Sequence, residues 1–577
     1  MISFNIKTKK NLNKGVLVLC LIFLVIGIFY AVGTKPWNHP DEFGHFTYIK
    51  YIEKFQSIPA YTNKFDFWES HQPPLYYILN VPVTFIFSGQ EIITQLIATR
   101  IFNLLFAVIN IWIIFKIFKH FFRSNSKEEH QPYLILISTI MAGLWPMFVF
   151  ISSGLSNDNL ANLLGSLVIL YLLKLPGLFK SEIDHKKARN KLILGSLLIS
   201  SLLLTKTSLY FFAVVVLVTM IYWLWHYLKS NPNYTNRRFL IDLLITGGII
   251  FVLSGWFFIR NLIVVGDLFG WFHFNRLYQF QESDVLTWSG FSTWLKTIIK
   301  STLGIFGYFN IVIKYHIIYK IFYGLLGLSL IGNIYYFIRY RQRNNRNLLM
   351  MYFLLFLIFF GTFIYSLNAY QPQGRYLLPC LSSFIIFFAV GTYYHIKSKK
   401  ILMGLLSLTI LVFMAFSFVN LQTIIQSEKN TGHYDVIEDN LLNKKWKSEA
   451  AFFPGKVYLS SNIKDVPITV EGSNALLYCF GDIRQDTSLV DSLIIEIKTD
   501  NISKIKITPA YIANNYFDDQ YSKIIELYTD GEYHQYKMNI EEISQSKPDV
   551  LFGLEIKILE GTDNEEWNMQ IGELGLK

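Results

Sequence analysis

The sequence predicts a polytopic α-helical membrane protein of about 11 transmembrane helices, followed by a C-terminal extracytoplasmic β-sandwich of jelly-roll type. Three observations carry that expectation. Hydrophobic residues make up 52% of the 577-residue chain and charged residues 16%, where soluble domains average about 25% charged. Apolar runs of the length needed to cross a bilayer, roughly 18 residues or more, recur through residues 1–427. Residues 428–577 instead alternate apolar and polar side chains in short runs, the period of half-buried strands. These features exclude a disordered chain or a coiled coil and argue against a purely soluble enzyme.

The apolar runs lie at about 15–33, 100–120, 132–152, 159–178, 191–207, 209–228, 239–259, 316–338, 348–367, 375–395 and 401–421. The first follows Lys7, Lys9, Lys10 and Lys14, as a secretion signal would. Its apolar stretch is too long and lacks a small-x-small cleavage site, so it reads as an uncleaved span. Cytoplasmic loops retain Lys and Arg. With the N-terminus inside, it and loops 116–131, 179–191, 229–238, 339–347 and 396–400 hold 23 basic residues and four acids, Glu128, Glu129, Glu182 and Asp184. The loops 34–99, around 156–159, near Lys206, 260–315 and 368–374 then face outward. An odd number of spans leaves the C-terminal domain outside, in a multi-pass protein of the cell membrane.

Charge divides at the same boundary. Residues 428–577 carry 26 Asp+Glu against 15 Lys+Arg, and residues 1–427 hold 37 basic against 15 acidic. Topology explains the basic excess, and no nucleic-acid partner is expected. Strand-like runs in the tail include 492–498, 502–507, 524–528, 533–540, 551–558 and 569–576, with Thr529-Asp530-Gly531-Glu532 as a turn. Several short strands without helical period suit an antiparallel β-sandwich of jelly-roll type. Cys20, Cys380 and Cys479 are too few and too scattered for a disulfide framework.

Residues suited to chemistry gather on the outward side. In Pro40-Asp41-Glu42-Phe43-Gly44-His45, proline fits a helix first turn and the acids fit its positive end. Asp41 and His45, four apart, share a face. A carboxylate here is placed for general-base work, with helix capping as the alternative. Phe46, Ile49, Ile52 and Phe55 form an apolar stripe fit for a membrane surface. Glu69-Ser70-His71-Gln72-Pro73-Pro74-Leu75-Tyr76-Tyr77 leads into an apolar segment too short to cross, and His71 is either a ligand group or an interfacial histidine. Arg100, Lys206, Arg260 and Arg375 lie near the outer leaflet, where snorkelling is the plain reading. Arg375 follows Gln373-Gly374 at a helix N-terminus, a place suited to phosphate. Asp158 in Ser156-Asn157-Asp158-Asn159 is a second candidate acid or an N-cap. His39, Asp41, Glu42, His45 and His71 do not match a tight metal signature, so no metal is assigned. Nucleotide-binding and nucleophile-elbow motifs are missing from suitable contexts, and no cofactor is expected.

Taken in order, these motifs resemble the GT-C superfamily of polytopic membrane glycosyltransferases, which includes protein O-mannosyltransferases and lipid A aminoarabinose transferases. The likeness is nearest to a bacterial branch of predicted membrane proteins and covers about residues 15–421. It rests on the two motifs quoted around Asp41 and His71, Ser156-Asn157-Asp158, Trp256-Phe257-Phe258-Ile259-Arg260-Asn261 with Gly266-Asp267, and Gln373-Gly374-Arg375-Tyr376-Leu377-Leu378-Pro379. The resemblance implies transfer of a sugar from a polyprenyl-phosphate donor to an envelope glycan, lipid or protein acceptor, by a single inverting displacement. Asp41 would be the base and Asp158 the second acid, with Glu42 and His45 shaping the pocket. Arg100, Lys206, Arg260 and Arg375 would neutralise the carrier phosphate. His71-Gln72 stands where better-known members have Lys or Glu before the proline pair. Two other readings belong to different classes: a non-catalytic component of polysaccharide assembly or export, and a transporter of lipid-linked sugars. The second predicts charges at the bilayer midplane and related halves, which the sequence lacks.

Overall fold

In a computed structural model of the protein, residues 9–60, 68–90, 92–178, 184–278, 284–307, 311–340, 345–368, 370–430, 467–471, 476–486, 492–500, 502–511, 522–539, 550–561 and 566–576 are described. Among them nine helices are long and apolar enough to cross a membrane, and the pair Gln131–Gly143 and Pro146–Ser152 makes a tenth if counted as one span. That pair bends by 52° next to Pro146, which lacks an N–H and cannot continue the preceding helix. The expected span at 191–207 is occupied by the 19-residue helix His185–Leu203. Lys186, Lys187, Arg189 and Lys191 in its first turns keep it out of the nine. The chain is therefore a multi-pass α-helical membrane protein.

The loop after the first span folds back into the bundle. Helix Glu42–Phe55 and helix Leu75–Ile86 pair through it, joined in part by the single turn Trp68–His71. The apolar stripe on the first of these does not lie on the membrane surface as expected. Residues Glu42 to Ile49 are all buried, and Phe46 packs edge-on to Trp37 with ring centroids 5.4 Å apart. Only the last turn emerges, with Phe55 exposed. The Pro73-Pro74 break does what its chemistry dictates: the Leu75 N–H, freed at a helix start, donates to the Leu204 carbonyl at 2.8 Å.

Two close backbone approaches fix the start of the tenth predicted span. Gly165, in helix Asp158–Leu178, lies so near Pro379 that a Cβ there would meet the proline carbonyl. Gly374 meets the backbone of Thr302 in helix Trp288–Gly304, and its N–H donates to Ser301 Oγ at 2.7 Å. Only glycine permits such contact. A small pairing, β1 (Ile305–Phe306) with β2 (Ile311–Val312), follows that helix.

The tail forms two four-stranded antiparallel sheets. With β3 Pro467–Glu471, β4 Leu476–Asp486, β5 Ser492–Thr499, β6 Ile502–Tyr511, β7 Lys523–Glu526, β8 Tyr533–Asn539, β9 Val550–Gly561 and β10 Glu566–Leu576, the orders are β3-β10-β5-β8 and β4-β9-β6-β7. This interleaving is that of an eight-stranded jelly roll. Ile495, Ile497, Ile505, Ile507 and Met538 are buried, the inward positions of the alternation read from sequence. The expected boundary at 428 falls two residues before the end of helix Lys399–Asn430. Residues 431–466 and the cluster Arg341–Arg343 lie outside the described residues, as does the Cys479 side chain.

Candidate active site

Asp41 sits immediately before helix Glu42–Phe55 with φ 61°, in the left-handed region. For a residue with a side chain that conformation costs about 1–3 kcal/mol. Its carboxylate makes no bond to the helix it precedes, so the capping alternative does not hold. The turn instead aims it at Arg375, whose Nη2 donates to Asp41 Oδ2 at 2.6 Å. Arg375 Nη1 lies 3.6 Å from Asp158 Oδ2, and Lys206 Nζ donates to Asp158 Oδ1 at 2.5 Å. Four charges of alternating sign thus run in a row: Asp41, Arg375, Asp158, Lys206. They come from the loop after the first span, the start of Gly374–Cys380, the start of Asp158–Leu178, and the extended joint between His185–Leu203 and Tyr210–Ser230. The Arg375 and Asp158 side chains are 4% and 3% exposed, whereas Asp41 is 34% exposed. Asp41 is the accessible end of the row.

Arg375 retains unused hydrogen-bonding capacity. Its Nε and Nη1 are buried without a hydrogen-bond partner among the described residues. Buried N–H groups are rarely left so, and a guanidinium edge is well shaped for two oxygens of a phosphate or carboxylate. Beneath it, the Tyr376 ring faces both cations, 5.1 Å from the Arg375 guanidinium carbon and 5.5 Å from Lys206 Nζ.

His45 follows Asp41 by one helical turn. Its Nδ1 is 3.0 Å from the Tyr77 hydroxyl, which donates to Glu69 Oε2 at 3.2 Å. Burial pushes the His45 imidazole down to about 3, against the pull of Asp41, so it is neutral at physiological pH. Burial alone would raise the Asp41 carboxyl; Arg375, with His45 and Lys206, outweighs it and holds Asp41 below the usual carboxylate range. The acid is ionised, with one oxygen engaged by Arg375. No metal was assigned from the sequence. Among the described residues, Asp41, His45 and Glu69 offer donor atoms within 4.8 Å of one another, a spacing that could hold a cation.

Glu42, expected to shape the pocket, and Arg100, expected to meet the carrier phosphate, are paired with each other. Arg100 Nε and Nη2 fork onto the Glu42 carboxylate at 2.8 and 2.5 Å. Its remaining N–H groups donate to the Ala31, Thr34 and Lys35 carbonyls at the end of the first helix. Glu42 also accepts from the Trp37 and Leu155 N–H groups. Both side chains are essentially inaccessible, at 1% and 0%, and Arg100 holds Glu42 below its usual range despite burial. The pair braces the loop that carries Asp41. Arg260 donates to the Ile58 and Pro59 carbonyls, and His71 stacks on Phe274 at 4.0 Å. The structure therefore brings Asp41, His45, Asp158, Lys206 and Arg375 together. Arg100 and Glu42 lie behind that group, and Arg260 and His71 contact the chain at other points. Glu69, Tyr77 and Tyr376 were quoted within motifs but not singled out. The signal available for Glu69 was an acid two residues before His71 in a polar turn.

His39 gives this region a pH signature. Its ring is buried against Phe150 at 4.5 Å, neither nitrogen has a hydrogen-bond partner among the described residues, and burial pushes it to about 3. His39 and His45 stay neutral in the fold but take up protons near pH 6.5 when unfolded. Their contribution is present above about pH 6.5 and is lost on acidification towards 3, by about 1.4 kcal/mol per unit for each. Thermal unfolding in detergent should shift downward across that window, and His39→Phe should reduce the slope. An identical slope in the variant would remove His39 from this account.

No family model matches the chain, and no curated protein matches it. Solved structures do. ArnT from Cupriavidus metallidurans, bound to undecaprenyl phosphate, is 14% identical over 69% of this chain and 63% of its own, with a TM-score of 0.45. The oligosaccharyltransferase AglB from Archaeoglobus fulgidus, in complex with an inhibitory peptide and a dolichol-phosphate, is 11% identical over 71% and 55%, TM-score 0.38. Arabinosyltransferase EmbB from Mycobacterium smegmatis is 9% identical over 97% and 64%, TM-score 0.37. The chain spans less than two-thirds of the length of each of these three.

Proposed function

We propose that the protein is a membrane glycosyltransferase of the GT-C kind, passing a sugar from a polyprenyl-phosphate-linked donor to a cell-envelope acceptor on the extracytoplasmic side. The single observation that carries the reading is the Asp41–Arg375–Asp158–Lys206 row, with a half-open carboxylate at one end and, next to it, buried guanidinium N–H groups that have no hydrogen-bond partner among the described residues. In the transfer, the acceptor oxygen bonds to the anomeric carbon as the carbon–oxygen bond to the carrier phosphate breaks. The phosphate leaves with that electron pair, and the hydroxyl proton passes to Asp41. Charge grows on the leaving phosphate, where Arg375 and Lys206 stabilise it. Asp158 fixes both cations.

The same row implies an order of events. Donor phosphate competes with Asp41 for Arg375, so docking of the donor frees the base. Glu42 and Arg100 act by holding the Asp41 turn. The Lys/Arg-rich loops stay inside by the positive-inside rule, which puts the row and the C-terminal jelly roll outside. Undecaprenyl phosphate binding to the purified protein in nanodiscs tests the donor class. Arg375→Gln removes one to two charge-assisted contacts of about 1.5–3 kcal/mol each, so affinity should drop at least about tenfold. Equal affinity in wild type and variant would refute the assignment of the phosphate site.

A further inference from the structure

Glu69 and Tyr77 have no part in the row of charges, yet both are buried against His45, at 5% and 0% exposure. We infer that Glu69, acting through Tyr77, is a positioning residue that fixes His45 as its Nδ1–H tautomer and leaves Nε2 with the lone pair. The argument is one of proton accounting. A tyrosine hydroxyl has one hydrogen, and here it points to the Glu69 carboxylate at 3.2 Å. The Tyr77 oxygen therefore accepts from His45 Nδ1, 3.0 Å away, and Nδ1 must carry a hydrogen. The carboxylate reinforces the choice directly, because Glu69 Oε2 lies 3.6 Å from the same nitrogen. A proton on Nδ1 is attracted to it and a lone pair there is repelled. The opposite tautomer would require Tyr77 to turn its hydrogen from a buried carboxylate to the imidazole.

Tyr77 is not free to swing away. Its ring stacks on Tyr48 at 3.7 Å with 15° between planes, and Tyr48 in turn donates to the Gln72 carbonyl at 3.1 Å. Both ends of the relay are set by the polar turn before the proline pair, which is a reason for that turn to fold into the bundle. The outcome is a neutral imidazole one turn from Asp41, with the His45 backbone N–H donating to the Asp41 backbone carbonyl at 3.0 Å. Under the transferase reading, an uncharged ring there adds no positive charge against the hydroxyl proton that passes to Asp41; the tautomer itself does not depend on that reading.

The test is magnetic resonance on the full-length protein in lipid, with 15N-labelled histidine and His45 resolved by subtraction of the His45→Gln spectrum. At neutral pH the expected signals are a protonated Nδ1 and an unprotonated Nε2. Tyr77→Phe, which keeps the ring stack, and Glu69→Gln should each move His45 to a tautomer mixture or to Nε2–H. A wild-type His45 protonated at Nε2 overturns the inference, as does a tautomer unchanged in both variants. The wild-type spectrum decides the main point, even where a variant fails to fold. No substrate is needed, so loss of the transferase reading would leave this result standing, and the converse also holds.

Discussion

Asp41→Asn is expected to abolish sugar transfer while leaving the protein folded and inserted. The amide keeps the size of the carboxylate, and its oxygen can still accept the Arg375 hydrogen bond seen at 2.6 Å. With the side chain 34% exposed, the structural cost is small. An amide cannot take the acceptor proton, however, and loss of a general base costs about 100- to 10,000-fold. Removing the negative charge also relieves the competition for Arg375, so undecaprenyl phosphate should bind the variant at least as tightly as wild type. Unimpaired donor binding with lost turnover separates chemistry from recognition. Comparison of envelope glycans by mass spectrometry, in cells carrying either form, gives the readout. Unaltered glycans would favour the non-catalytic assembly role.

The largest effect on stability is expected at the Glu42–Arg100 pair. Every N–H of the Arg100 guanidinium has a partner in Glu42 or the three carbonyls that close the first helix. Arg100→Met strands a buried carboxylate and three carbonyls; Glu42→Gln strands the guanidinium in part. Breaking a buried pair from one side costs about 3–5 kcal/mol. Arg100→Lys should not restore the loss, since a point ammonium cannot fork onto Glu42 and reach all three helix-end carbonyls. Unfolding of the purified variants should show the double change Glu42→Gln with Arg100→Met to be milder than the two single losses added together. Strict additivity would mean that the two side chains act independently.

Much of this was legible in the sequence because it depends on local chemistry. Apolar length gave the spans, and strand-period alternation gave the jelly roll. Asp41 and Arg375 stood out through short motifs at helix starts. What remained hidden was set by direction and by distant partners. In the pair Asp41-Glu42, both acids look alike, and the left-handed φ at Asp41 decides which faces the opening. Arg100 resembles any snorkelling cation until the end of the first helix is found around it. Lys206 and Asp158 are 48 positions apart, and no local pattern links them. Phe46 and Ile49 read as a membrane-facing stripe because periodicity reports a shared face, not what covers it. The charged first turns of His185–Leu203 similarly belong to a helix that continues past the apolar run.

The balanced row of two acids and two bases has an electrical consequence. Its members cancel at a distance, so the row itself projects little net field into the surrounding medium, and it lacks the funnelling of anions that a cluster of one sign would produce. Dissolved phosphate is not drawn in from afar. Under the proposed function, a headgroup moving sideways within the leaflet would meet attraction only on arrival, where displacing the Asp41 carboxylate unmasks the Arg375 guanidinium, so delivery by a lipid tail would become part of how the site selects its donor.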